Sequence, residues 1–183
     1  LNRATNTLRQ PGSTFKVLTA FAPALDTCGA TLSTVYYDAP YTVGQKTFRN
    51  WYAKKGYMGY STIRDGIVYS MNIVAVRCMM ETVPPQLGVE YARNFGITSL
   101  TETDYNAATA LGGITKGVSN LELTGAYAAI ANGGIYTKPV FFTKILDHNG
   151  KVLLENEPQT KRVLKDSTAF LLTDALAESM ESS

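Results

Sequence analysis

The 183-residue chain has 17 basic and 15 acidic residues for a net charge of +2, and is 45% hydrophobic and 17% charged. That is enough apolar material for one packed domain, and with no basic run there is no electrostatic footprint for nucleic acid. No stretch approaches the roughly 18 to 20 apolar residues of a membrane span and no signal-peptide pattern opens the chain, so any anchor is expected outside it.

In chain order, Pro11-Gly12 reads as a turn, and Phe15, Val17, Leu18, Ala20, Phe21 and Ala22 predict an apolar helix reaching at least Pro23, with Ser13 in its first turn. Val35-Tyr36-Tyr37 and Thr47-Phe48 read as extended segments around a Pro/Gly loop. Lys54 to Gly59 reads as a surface loop before a helix over Thr62 to Val68, and a second helix covers Ile73 to Met80. Thr82 with Pro84-Pro85 opens another, with Val89, Ala92 and Phe95 inward and Gly96 stopping it. Ser119 and Glu122 form a capping box for a helix ending at Asn132-Gly133. Asp147-His148-Asn149-Gly150 reads as a hairpin turn, so the single histidine is not expected in a catalytic triad. Asp166 or Ser167 caps a last helix with Phe170, Leu171, Leu172 and Leu176 on its apolar side. There is no internal repeat and no second domain boundary. Cys28 and Cys78 are the only cysteines; Cys78, among Val76, Met79 and Met80, is expected as a buried free thiol, and neither a metal site nor a cofactor is predicted.

Two short segments carry chemistry. Ser13 and Lys16 stand three residues apart where a helix begins, so they share a face and Lys16 is predicted to reach the Ser13 hydroxyl. A serine needs a base to act as a nucleophile at neutral pH, and a lysine serves as one when burial or a nearby cation lowers its pKa. The spacing alone also fits a polar first turn with a solvated lysine. In the second segment, Tyr69-Ser70-Met71-Asn72 lies between two helices. A hydroxyl and a carboxamide two residues apart can point into one cleft, Ser70 relaying a proton and Asn72 binding an amide carbonyl or orienting the lysine. The other reading of such a pair is helix capping.

In this order and with these flanks, the two segments resemble the penicillin-binding proteins, whose signature is Ser-x-x-Lys, then Ser-x-Asn, then Lys-Thr/Ser-Gly. The resemblance runs along nearly the whole chain: Asn2-Arg3-Ala4-Thr5 ahead of Arg9-Gln10-Pro11-Gly12-Ser13, Ser61 to Gly66 leading into Ser70-Met71-Asn72, Ala110-Leu111-Gly112-Gly113, and Leu121 to Gly134. It is strongest to the bifunctional class A members. What it implies is the transpeptidase domain, over 1–183, of a peptidoglycan D,D-transpeptidase that acts on D-Ala-D-Ala stem peptides and is acylated by β-lactam antibiotics. Ser13 would be the nucleophile and Lys16 its base, with Ser70 and Asn72 assisting and Trp51 bordering the cleft. Such an enzyme works at the extracytoplasmic face of the bacterial cell membrane, and the parent chain would also carry a glycosyltransferase. A β-lactam sensor module and a monofunctional class B penicillin-binding protein are the alternatives.

The third motif is absent. The nearest string, Thr115-Lys116-Gly117, has the wrong order and comes too early. In the family that motif supplies a carboxylate-binding lysine and hydroxyl, and the backbone N–H beyond it is one of two oxyanion donors. Loss of one such donor costs about a hundred- to a thousand-fold in a comparable acyl transfer. The expected fold is therefore α+β, a mainly helical fragment of the fold shared with the serine β-lactamases. Most central-sheet strands are expected outside the chain, which would need the flanking parts of the same polypeptide.

Overall fold

In the computed structural model, which describes residues 2–181 and all of their side chains but that of Ala53, short helices pack around one apolar segment, 12–26. That segment starts as a 3-10 turn (Gly12–Thr14), widens into a π-helical turn (Val17–Phe21) and ends as α-helix α2 (Ala22–Asp26), after a short α1 (Arg3–Asn6). Pro23 explains the widening. Its nitrogen has no proton to give the Thr19 carbonyl, so the ladder re-forms with the Ala22 N–H bonded to Val17 O. Gly88 packs onto the Thr19 carbonyl, where a Cβ would overlap the oxygen.

Phe15, Leu18 and Phe21 are fully buried. Around them pack α3 (Ile63–Val68), α4 (Asn72–Arg77), a π-turn (Cys78–Thr82) and α5 (Pro85–Asn94), contributing Ile63, Ile73, Val76, Met79, Val89 and Phe95. Each such side chain is worth roughly 1.5 to 3 kcal/mol of burial. α6 (Asn120–Ala131) begins at the expected capping box, Ser119 accepting from the Glu122 N–H while the Glu122 carboxylate accepts from Ser119. α7 (Asp166–Glu181) is tied to α3 by Arg64, 2.6 Å from both Asp174 and Glu178.

Among the described residues the strands form four two-stranded antiparallel sheets: β1 (Val35–Asp38) with β4 (Gly59–Thr62), β2 (Tyr41–Val43) with β3 (Lys46–Phe48), β5 (Ile135–Thr137) with β8 (Thr160–Arg162), and β6 (Lys144–Leu146) with β7 (Val152–Glu155). The α+β, mainly helical class is as expected. His148 sits in the β6–β7 turn, where Asp147 Oδ1 accepts from the Asn149 and Lys151 N–H groups. Both cysteines are free thiols; burial pushes that of Cys78 up to about 12, so it is inert at neutral pH.

Two expectations need correction. β4 was not foreseen: its four residues carry little pattern, and it exists because β1 offers a partner edge, burying Tyr36 and Ser61 and leaving Tyr37 and Tyr60 edge-to-face outside. In α7, Asp166 is the first helical residue, and Phe170 is 70% exposed. At 100° per residue, position 170 lies opposite the buried stripe of Thr168, Leu172 and Ala175.

Candidate active site

Ser13 is held by backbone contacts from distant elements. Gly12 has φ +60° and turns the chain into the 3-10 segment. Gln10 Nε2 donates to Ile114 O at 2.6 Å while Gln10 Oε1 accepts from the Ile114 N–H at 2.9 Å. Arg9 and Val118 exchange backbone bonds of 2.9 and 2.8 Å. From α6, the Tyr127 hydroxyl donates to Thr14 O at 2.7 Å. The loop carrying Gly112 and Gly117 lies so close that a Cβ at either would overlap the backbone of Gly12 or Arg9, which accounts for glycine at both positions.

Lys16, two residues beyond the 3-10 turn, is 2% exposed. Burial lowers its pKa from 10.5 to about 8. Its Nζ donates to Ser70 O at 2.7 Å and to Ser70 Oγ at 3.0 Å. The predicted Lys16–Ser13 hydrogen bond is not made: the Ser13 hydroxyl is exposed and has no hydrogen-bond partner among the described residues. The tighter 3-10 turn replaces the expected α-helical first turn, and Ser70 offers the amine two acceptors at once.

Ser70 is the only non-glycine residue with positive φ among the described residues, at +49°. It ends α3 as a Schellman motif: the Met71 N–H bonds to Gly66 O at 3.0 Å and the Ser70 N–H to Ile67 O at 3.2 Å. Glycine is usual there, because an L side chain in the left-handed region costs roughly 1 to 2 kcal/mol. The serine sits where strain aims its hydroxyl and carbonyl at Lys16.

Asn72, the first residue of α4, donates its side-chain Nδ2 to Arg49 O at 2.9 Å. Neither Ser70 nor Asn72 caps the helix; Asn50 does so from another loop, its Oδ1 accepting from the Asn72 and Ile73 N–H groups at 2.8 and 3.1 Å. Trp51 is 73% exposed and donates its indole N–H to Tyr69 O at 3.3 Å, so it stands beside the Ser70 turn. It walls a cleft of about 270 Å³ with Tyr52, Lys55, Tyr57, Met58 and Tyr69. An apolar groove of about 610 Å³ runs past Thr14, the residue after Ser13, and is lined by Leu123, Tyr127, Ile130, Thr173 and Leu176. Thr115-Lys116-Gly117 does no such work: Thr115 donates its N–H and hydroxyl to Asp104 Oδ1, each at 2.7 Å.

The structure thus brings Lys16 and Ser70 into contact, with Trp51 bonded to the residue before Ser70 and Asn72 two residues after it, while Ser13 makes no side-chain bond to any of them. Sequence patterns did not point to Asn50 or Asp38, and Gln10 and Tyr127 entered only within the segments that carry the family resemblance, with no role assigned. The apposed Asn50-Trp51 pair, a polar residue flanking the single tryptophan, was the only available signal for the first of these.

A model of the penicillin-binding protein transpeptidase domain matches residues 1–183. The chain belongs to this family. Among curated relatives it is 36% identical over 188 residues to penicillin-binding protein 1A of Clostridium tetani, covering 96% of this chain and 24% of that protein. It is 35% identical over 177 residues to penicillin-binding protein 1F of Bacillus subtilis, covering 97% and 24%. The crystal structure of penicillin-binding protein 1A from Haemophilus influenzae superposes with a TM-score of 0.81 at 27% identity, over 100% of this chain and 31% of that one. The chain therefore spans about a quarter of the length of these curated relatives. The class A resemblance and the transpeptidase fold read from the motifs are borne out.

Proposed function

We propose that this chain carries the nucleophile, base and proton relay of a peptidoglycan D,D-transpeptidase. The observation that carries the proposal is Lys16: buried, with a pKa of about 8, and bonded to the hydroxyl of Ser70 in the family to which the chain belongs. A lysine of that pKa has a neutral fraction of about one in ten at pH 7, enough to accept a proton and acidic enough afterwards to return it.

In acylation, Ser13 Oγ attacks the carbonyl carbon of the penultimate D-Ala of a stem peptide and its proton passes to neutral Lys16. As the peptide C–N bond breaks, the departing D-Ala nitrogen takes a proton, delivered from the Lys16 ammonium through the Ser70 hydroxyl 3.0 Å away. The product is an ester of Ser13 and free D-Ala. An amine of a neighbouring stem then attacks the ester, its proton returns along the same path, and a cross-link forms with Ser13 regenerated. Water in place of the amine would make the same intermediate a carboxypeptidase. Asn72 and Trp51 bind the acyl chain in this scheme. β-lactams offer an amide that Ser13 opens without losing the leaving group, so in this reading they acylate the same serine. The parent polypeptide, in this proposal, also carries a glycosyltransferase and a membrane anchor that holds it at the extracytoplasmic face; among the described residues no helix is long and apolar enough to cross a membrane.

The test is intact mass after incubation with benzylpenicillin, on the 183-residue chain and on a polypeptide extended at both ends to include a Lys-Thr/Ser-Gly motif, each with Ser13→Ala as control. A Ser13-dependent adduct on the extended polypeptide is expected, together with release of D-Ala from a D-Ala-D-Ala peptide. Absence of an adduct on a folded extended polypeptide overturns the proposal.

A further inference from the structure

Three consecutive residues, 49, 50 and 51, bond to the chain on both sides of Ser70. Trp51 donates to Tyr69 O at 3.3 Å, the Arg49 carbonyl accepts from Asn72 Nδ2 at 2.9 Å, and Asn50 Oδ1 accepts from the Asn72 and Ile73 N–H groups at 2.8 and 3.1 Å. The opening N–H groups of a helix need outside acceptors, and Met71, the residue before α4, makes no side-chain cap. One buried carboxamide therefore satisfies two of them and fixes the point at which the chain leaves the left-handed Ser70 turn for α4.

That carboxamide is itself anchored. Asn50 Nδ2 donates to Asp38 Oδ1 and to the Tyr52 hydroxyl, the latter at 2.9 Å. Asp38, 1% exposed at the end of β1, also accepts on Oδ2 from the Tyr52 hydroxyl at 3.0 Å and the Met58 N–H at 2.9 Å. The carboxylate accepts and the amide donates, so the Asn50 side chain has one allowed orientation, with its oxygen toward α4. A flipped or displaced amide would leave buried helix N–H groups unpaired.

We propose that Asn50, oriented by Asp38, is a positioning residue for acylation: the pair holds the Ser70 turn so that its hydroxyl and carbonyl meet Lys16. This rests on the transpeptidase assignment above. Neither residue touches the reacting atoms, and both act through Ser70.

The experiment uses the polypeptide that forms the Ser13 adduct, with a fluorescent penicillin, and separates the saturating acylation rate from the fraction finally labelled. Asn50→Asp keeps the oxygen facing α4 but sets a second carboxylate against Asp38. The saturating rate is expected to fall about ten- to a hundred-fold, as for a small misplacement of a catalytic group, with the labelled fraction and the half-saturating penicillin concentration little changed. Asp38→Asn sets two amide donors against each other and is expected to behave alike. The double variant N50D/D38N restores a donor facing an acceptor, and most of the rate is expected to return.

A merely structural pair would lower the labelled fraction and leave the rate of the labelled molecules unchanged, which overturns the proposal. So does a double variant no faster than the slower single one, or single variants that acylate at the unsubstituted rate. Absence of a Ser13-dependent adduct on the unsubstituted protein is a distinct result: it removes the transpeptidase assignment and this inference with it.

Discussion

Lys16 Nζ lies 2.7 Å from Ser70 O and 3.0 Å from Ser70 Oγ, a contact that joins the two short motifs across 54 residues of sequence. Its consequence is that the amine is already coupled to the hydroxyl through which it would pass a proton, while Ser13 stays exposed and open to substrate. The pair also carries the electrostatics of the site, because burial leaves the Lys16 ammonium poorly solvated.

Acylation is therefore expected to speed up with pH. In the proposed scheme the neutral amine is the base, so the second-order rate constant with a fluorescent penicillin rises through about pH 8 and levels above it. Lys16→Gln, which keeps length and loses basicity, is expected to cost about 10²- to 10⁴-fold at the plateau. A rate flat from pH 6 to 10 in the unsubstituted protein would remove Lys16 from the role of base.

The same burial predicts a stability effect of definite sign. The folded-state pKa, about 8, lies below the ordinary 10.5, so between those values the unfolded chain binds more protons and stability rises with pH. Relative to Lys16→Met, which has no titrating group here, the unsubstituted protein gains stability from pH 8 to 10.5, on the order of 3 kcal/mol at most. Paired urea titrations at pH 7 and pH 10 measure it, and an unchanged difference between the two pH values contradicts it.

Ser70 allows strain and chemistry to be separated. Ser70→Gly and Ser70→Ala both remove the hydroxyl, but only alanine keeps a Cβ at φ +49°. The glycine variant is expected to be the more stable of the two by about 1 kcal/mol, and both are expected to acylate equally slowly. Equal unfolding midpoints would show that the left-handed turn relaxes on substitution.

Gly88 tests the packing that lets the π-turn accommodate Pro23. A methyl group there meets the Thr19 carbonyl, which is backbone and has no rotamer to yield. Gly88→Ala is expected to destabilise the fold by about 1 to 3 kcal/mol, in spite of the helix propensity gained within α5. A variant as stable as the parent in urea would mean that α5 moves freely against 12–26.

The helices and caps were largely legible, because they rest on signals within a few residues: Pro84-Pro85 opening α5, the Ser119/Glu122 box, the Asp147 turn. β4 and the exposed face of Phe170 were not, since the first needed the β1 edge and the second depended on which face of α7 packs inward, the one carrying Leu172 and Ala175. At the site, Ser13, Lys16, Ser70 and Asn72 could be named from spacing and family likeness. Asn50 and Asp38 could not, being common polar residues whose importance lies in which atoms face them.

By itself, then, the order of residues determined the chemistry available: a serine and a lysine at a helix start, a serine and an asparagine between helices, and enough apolar periodicity to bury what surrounds them. Tertiary structure alone decided that the lysine turns to Ser70 and not to its near neighbour Ser13, and that Ser70 occupies a glycine's place. The reason is physical: local preference sets backbone shape within a turn or two, whereas desolvation and the choice among hydrogen-bond acceptors depend on segments that only packing brings together.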